Sequence, residues 1–366
     1  MATACECFRQ LQDSCPTHSA LDALQTPCLD GRAVLPAPSY PTPVRACPEL
    51  SHAHAQLWLK NDGLSHPIYG GSKVRKAERL VAEAVRRGAK RVLSFGAAGS
   101  HHLLTLTLFA RAAGLRSAAL VFPQPRTPHV VDTLRAALGL GLELQPVQHA
   151  ALVPWLVPRV LRRGDYLIAP GGSNAIGTQT CADAVDELSG QIEAGELPQP
   201  DLLVVALGSG GTCAGLAAGI VRRGLPCRVL GVQVVAGFGP RVATKYLATE
   251  VLRLSGAAAR RRALRAQLSF DATQLGKGYG AASPAGNRAT AIARELGLEL
   301  DQTYTAKAFA RVLELLRTVS SSEAARLGRP QRILYWHTLS ATALEPLLHA
   351  APSEHELPPV VRRLFR

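Results

Sequence analysis

Long apolar runs are missing from this 366-residue chain. None approaches the ~18–20 residues that a membrane-spanning helix requires, so no membrane partner is expected. No secretory signal is expected either. Met1-Ala2-Thr3-Ala4-Cys5-Glu6-Cys7 carries an early acid and no hydrophobic stretch, and a cytoplasmic location is the expectation. Cys-x-x-Cys pairs are absent, although the chain has eight cysteines, five of them within the first 47 residues. Without that pairing the thiols read as reduced. A zinc site from Cys5, Cys7, Cys15 and His18 fits no standard ligand spacing, and no metal is expected. Aromatic residues are scarce at 5%, which leaves little material for a base-stacking surface.

Acidic residues are also few, 27 against 41 Lys and Arg, giving a net charge of +14. That excess invites a non-catalytic, polyanion-binding reading. The placement of the charge weakens it. Arg-Arg-Gly recurs at 86–88, 162–164 and 222–224, each time after an apolar stretch. Cations in a last helical turn followed by glycine are how helices end. Arg260-Arg261-Arg262 with Arg265 is the one denser patch, and it reads as a solvated helix face. Nucleic acid is therefore not an expected partner.

What is present is a globular composition, 47% apolar and 19% charged, in a chain long enough for two lobes. Residues 1–33 read as a loosely ordered extension, followed by extended chain through Pro36, Pro38, Pro41, Pro43 and Pro48. Beyond it, apolar strand-like runs (92–95, 118–122, 166–169, 202–207, 229–235, 333–336) alternate with helical patterns (74–87, 103–113, 178–188, 213–223, 307–318). Apolar strands separated by helices predict an α/β fold with open parallel sheets and flanking helices.

Three loops carry candidate chemistry. In Gly70-Gly71-Ser72-Lys73-Val74-Arg75-Lys76, Ser72 is placed to cap the following helix. Lys73 shares a helical face with Ala77, Leu80, Val81, Ala84 and Val85, while Arg75, Arg79 and Arg86 point away. Lys73 thus projects inward. A buried ammonium is costly unless its pKa falls, and a lowered pKa is what Schiff-base formation needs. Against this stands a lysine that snorkels out of the first turn. Gly208-Ser209-Gly210-Gly211-Thr212 follows an apolar strand and opens a helix near Cys213. Such a loop binds phosphate through backbone N–H groups, or is simply a tight turn. It is neither a Walker loop nor a complete dinucleotide fingerprint, so a Rossmann dehydrogenase is disfavoured. Gly96-Ala97-Ala98-Gly99-Ser100-His101-His102 can hold a carboxylate. Its paired histidines diverge on a helix and make poor metal evidence. Gly171-Gly172-Ser173-Asn174 and Gly278-Tyr279-Gly280 are further glycine loops, and the last strand ends in His337-Thr338.

In this order, from about Pro41 to Leu344, the segments resemble the 1-aminocyclopropane-1-carboxylate deaminase / D-cysteine desulfhydrase family of pyridoxal 5′-phosphate (PLP) enzymes. Gly-Gly-Ser-Lys-Val-Arg-Lys, with Ser72 where Asn is common, is the most specific match. The resemblance implies a two-lobed, tryptophan-synthase-β-like fold (type II) and PLP as cofactor. Residues 34–69 and 181–366 would form the large cofactor-binding domain, and 70–180 the small domain carrying the lysine and the carboxylate loop. It implies that Lys73 is the Schiff-base lysine and that Gly208, Ser209, Gly210, Gly211 and Thr212 form the phosphate cup. Ser100 would be a carboxylate ligand or catalytic hydroxyl, within a carboxylate site of Gly99, Ser100, His101 and His102. Tyr279 and Tyr304 match the two active-site tyrosines. Thr338, with Thr305 as the alternative, would partner the pyridine nitrogen. A homodimer and a small amino-acid substrate are also implied.

Thr305 follows the second tyrosine, where the deaminase branch carries Glu and the desulfhydrase-like branch Thr. The expectation is therefore a deaminating lyase, with α,β-elimination of D-cysteine or a related β-substituted amino acid to a 2-oxo acid and ammonia. The alternatives are ring opening of 1-aminocyclopropane-1-carboxylate to 2-oxobutyrate, and racemisation. Two departures bear on substrate identity. The family's Gln-Ser-Asn-His becomes Gly99-Ser100-His101-His102, so His101 stands where an Asn would touch the cofactor's phenolic oxygen. His-Thr-Gly-Gly becomes His337-Thr338-Leu339-Ser340.

Overall fold

The computed structural model describes residues 35–365. The expected extension at 1–33, with Cys5, Cys7, Cys15 and His18, lies outside the described residues. Two sheets organise the rest. The larger has six strands in the order β1-β2-β10-β7-β8-β9: β1 Val44–Ala46, β2 Ala55–Asn61, β10 Gln331–His337, β7 Leu202–Leu207, β8 Arg228–Gln233 and β9 Leu268–Asp271. All its neighbours are parallel except the β1–β2 pair. The smaller is fully parallel, in the order β5-β4-β3-β6: β5 Leu142–Pro146, β4 Arg116–Phe122, β3 Arg91–Ala97 and β6 Asp165–Leu167. Strands covered on both faces need apolar residues throughout. Leu202–Leu207 meets that demand, with five of six residues buried.

Helices cover both faces of the six-stranded sheet. Ala175–Glu193, Gly211–Arg223 and Gly239–Leu254 pack on one side around Trp336 and Leu334. Pro284–Glu295 and Thr305–Thr318 pack on the other around Ile333 and Tyr335. The four-stranded sheet has its own core with helices Ser72–Arg86, His101–Ala112 and Pro128–Gly139. The C-terminal residues Leu347, Leu357, Val361 and Leu364 join that core rather than the six-stranded side. Among the described residues no helix is long and apolar enough to cross a membrane. The described cysteines, Cys47, Cys181, Cys213 and Cys227, are buried and unpaired.

Several local expectations need correcting. Gly71, not Ser72, occupies the cap position of helix Ser72–Arg86, and no side chain caps it. Gly71 sits at φ 98°, where L side chains are strained, and an added Cβ would lie 2.7 Å from the Thr338 carbonyl; the close approach leaves no room for a capping side chain. Val85 is exposed rather than part of the buried face. Arg75 does not point to solvent. It is 4% exposed and bonded to Asp62 (2.9 Å) and Glu187. Trp336 Nε1 donates to Asp62 (2.8 Å), and Lys60 Nζ donates to Thr42 O and Gln191 Oε1, each at 2.6 Å. This polar knot ties the start of the lysine helix to β10 and to helix Ala175–Glu193. A helical wheel cannot anticipate it, because the compensating acids come from distant segments. Of the three Arg-Arg-Gly sites, 86–88 and 222–224 end helices, whereas 162–164 lies in the turn after helix Val153–Val160. Arg260 donates to the carbonyls of Val221 and Arg222 at a helix end, and Arg261, Arg262 and Arg265 are exposed.

Candidate active site

Ligands of open parallel sheets bind beyond the carboxyl ends of the strands, where loops diverge. Here those ends from both sheets face one cavity of about 490 Å³. β2 leads toward Tyr69 and Lys73, β3 to Ser100 and His101, β7 to Gly208–Thr212, and β10 to Thr338 and Leu339; all of these border the cavity except Gly211.

Lys73 sits in the first turn of its helix and opens onto this space, and its amine makes no hydrogen bond among the described residues. Burial, reinforced by the neighbouring Lys76 cation, lowers its pKa to about 7. A neutral amine at near-neutral pH is a nucleophile and a base.

The loop Gly208–Thr212 turns from β7 into a helix that begins at Gly211, two residues earlier than expected. Gly210, its cap residue, has φ 97°. Around the turn lie two groups that sequence reasoning did not select. Lys76, fully buried, places its amine 3.2 Å from the Gly171 carbonyl, and a Cβ on Gly211 would lie 2.7 Å from that amine. Ser173 Oγ accepts from Gly211 N–H (3.2 Å) and pairs with Ser209 Oγ (2.8 Å). A buried cation, two hydroxyls and a glycine turn at a helix N-terminus make a cradle for a dianion. The signals were available: Lys76 lies one turn beyond Lys73, and Ser173 lies in a noted glycine loop.

Ser100 caps helix His101–Ala112, its Oγ accepting from Leu103 N–H, and borders the cavity. Gly99 does not join it. Its N–H donates to Gln124 Oε1 (3.1 Å), so it is not free for a substrate carboxylate. His102 borders the cavity, but its ring is 3.0 Å from Ser94 Oγ, leaving the ring turned toward β3. His101 faces the cavity between Tyr69 Oη on Nδ1 and His129 Nε2, 3.3 Å from its own Nε2. Burial holds both His101 and His102 far below the usual histidine range, to about 3, so both rings are neutral.

Tyr279 and Tyr304 share a hydrogen bond of 2.8 Å between hydroxyls, with rings edge-on at 5.7 Å. Burial pushes the Tyr279 phenol up to about 12 and raises that of Tyr304 as well. Thr338 borders the cavity with a hydroxyl that has no partner among the described residues. Thr305 does not reach it. Its hydroxyl donates to Asp301 Oδ1 (2.6 Å) at the start of helix Thr305–Thr318. Asp301, which sequence reasoning passed over, does border the cavity. Burial opposes its charge, but the donors of Thr305 and Tyr304 hold it below the ordinary carboxylate range. A carboxylate therefore stands in a space for which sequence reasoning named a lysine, histidines and hydroxyls but no acid. Among the described residues no cluster of His, Cys, Asp or Glu has metal-binding geometry.

Comparison with known proteins places the chain in a family. The model of pyridoxal-phosphate dependent enzymes matches residues 37–338. Nocardicin C-9′ epimerase of Nocardia uniformis subsp. tsuyamanensis is 32% identical over 330 residues, covering 87% of this chain and 96% of its own. D-cysteine desulfhydrase of Klebsiella pneumoniae is 30% identical over 321 residues, covering 83% and 93%. The crystal structure of an ACC deaminase homologue superposes with a TM-score of 0.67 at 26% identity, covering 91% of this chain and all of the other.

Proposed function

The chain belongs to the pyridoxal-phosphate dependent enzyme family of fold type II, and from that premise we propose that it is a deaminating lyase for a small amino acid, eliminating the β-substituent of D-cysteine or a close relative. The observation that carries the reading is the unpartnered Lys73 amine, near-neutral in pKa, on the wall of a cavity whose other side is an anion cradle. PLP, when bound, supplies an electron sink for the α-carbon of an amino acid. Gly208, Ser209, Gly210, Gly211 and Thr212, joined by Lys76 and Ser173, would hold its phosphate, and the free Thr338 hydroxyl would meet its pyridine nitrogen.

Lys73 acts first as the amine that anchors the cofactor and then as the base at the substrate's α-carbon. Ser100, at the start of helix His101–Ala112, binds the substrate carboxylate. Tyr279 and Tyr304 face the β-substituent. Because one of these hydroxyls donates to the other, one O–H remains to protonate a departing thiolate. The reading also takes residues 70–180 as the lobe that carries Lys73, set against 34–69 and 181–366 apart from the C-terminal residues that pack onto the Lys73 lobe, in a cytoplasmic homodimer. Borohydride reduction of the cofactor-saturated protein should place the pyridoxyl label on the Lys73 peptide, and D-cysteine should yield sulfide and pyruvate. Release of 2-oxobutyrate from 1-aminocyclopropane-1-carboxylate would instead support ring opening.

Epimerisation is a second reading. It is favoured by His101, whose ring stands in the cavity between two further titratable groups, and by the likeness to a relative named for that reaction. The two readings share Lys73 and part at what returns a proton to the α-carbon.

A further inference from the structure

Three residues from three segments form an unbroken chain beside the cavity. Tyr69, just before the lysine helix, bonds through its hydroxyl to His101 Nδ1. His101 opens helix His101–Ala112, and its Nε2 lies 3.3 Å from His129 Nε2 near the start of helix Pro128–Gly139. The rings of His101 and His129 have centroids 5.0 Å apart, and those of Tyr69 and His101 stack at 6.3 Å. Tyr69 and His101 border the cavity; His129 does not, and it is half-buried, open toward solvent. A histidine that merely fills core space needs one partner at most for its N–H. His101 has a titratable partner on each ring nitrogen, and the line through it runs from the cavity outward.

We propose that Tyr69, His101 and His129 form a proton relay from solvent to the bound amino acid, a second proton port separate from Lys73. A neutral imidazole carries one N–H and one lone pair, so it can accept at one nitrogen while donating at the other. Starting with His101 protonated on Nδ1 and His129 on Nε2, Tyr69 gives its O–H proton to the substrate α-carbon. His101 Nδ1–H reprotonates the phenol oxygen, and His129 Nε2–H passes to His101 Nε2. Water then supplies a proton at His129 Nδ1. One C–H bond forms, water loses one proton, and both rings end neutral in the other tautomer; the reverse sequence carries a proton out. Burial keeps the middle ring uncharged, a helix N-terminus acts in the same sense, and the titratable groups facing it are His129, Asp301 and Lys73.

The substrate end of the relay rests on the PLP reading; the hydrogen-bonded chain does not. The test uses D- and L-alanine, which have no leaving group on the β-carbon, so that only exchange at the α-carbon is read. Cofactor-loaded protein in D2O should exchange the α-hydrogen of at least one enantiomer and convert it to the other. His129→Gln, remote from the cavity, should slow reprotonation about tenfold or more while leaving cofactor absorbance unchanged, and added imidazole should restore the rate. His101→Asn should show the same loss without rescue. Wild-type exchange rates in His129→Gln, or no conversion by the loaded wild type, overturn the relay. Ring-nitrogen NMR of the full chain without cofactor is a further readout. His129→Gln should move the His101 resonances, and unmoved resonances also overturn the proposal. A Lys73 peptide without pyridoxyl label alongside coupled histidine resonances would instead defeat the cofactor reading and leave the hydrogen-bonded chain standing.

Discussion

The two sheets bring different chemistry to one cavity. The six-stranded sheet contributes charge and charge-binding groups: the glycine cradle after β7, and Asp301 held ionised by its donors. The four-stranded sheet contributes neutral polar groups, the Ser100 hydroxyl and the uncharged His101 ring. Between them, Lys73 and Lys76 rise from one helix. One amine faces open space, while the other bonds the Gly171 carbonyl beside the cradle. The contrast separates the tasks of the site. On the proposed reading, an ionic grip would suit the invariable phosphate, and groups that donate and accept protons would suit a substrate that changes during turnover.

Four perturbations test that division. Lys73→Ala should lower turnover by about 10²–10⁴-fold, the range for losing a positioned base, with loss of covalently bound cofactor read by absorbance. Arg75→Ala should destabilise the protein by about 3–5 kcal/mol in urea unfolding, because Asp62 would remain buried without its main partner; a small change would detach the polar knot from the stability of the lysine helix. Lys76→Met should weaken cofactor binding by about 1.5–3 kcal/mol, as for a hydrogen bond to a charged group. Thr338→Val should cost about 0.5–1.5 kcal/mol, as for a neutral one. Equilibrium dialysis against PLP checks both, and a reversed order would refute the ionic role of Lys76 beside the cradle. A further effect concerns pH. Burial lowers His66 and His337 to about 4, and His101 and His102 to about 3. Below the usual histidine range, the unfolded chain then binds more protons than the folded one. Stability should therefore be full above about pH 6.5 and fall toward pH 4, seen as a lower urea midpoint at pH 5.5 than at pH 7.

The strands best read from the sequence were the ones buried on both faces. Leu202–Leu207 and Ile333–Trp336 are uninterrupted apolar runs, and each lies inside an observed strand. Ala55–Asn61 escaped because only alternate residues along most of its length are fully buried, and Lys60, deep in the core, looks like a surface residue. Helices Pro128–Gly139 and Pro284–Glu295 were missed although Thr127 and Ser283 cap them and Pro opens each. That pair of residues is a start signal that apolar periodicity alone does not register. In the site, residues fixed by local geometry were legible: Lys73 by its helical face, Gly208–Thr212 by following a strand. Gly99 and Thr305 were misplaced because their polar groups are taken by Gln124 and Asp301, partners invisible from the motif itself.

Local patterns fix the alternation of strand and helix, the inward lysine and the glycine turn, because periodicity and backbone permissiveness act over a few residues. Tertiary structure decided which polar groups meet. Arg75 with Asp62 and Glu187, Lys76 with the Gly171 loop, and Tyr69 with His101 and His129 are each assembled from segments that only folding brings within hydrogen-bond reach. The energy of a buried charge or imidazole is set by those few ångströms, and no local pattern encodes them.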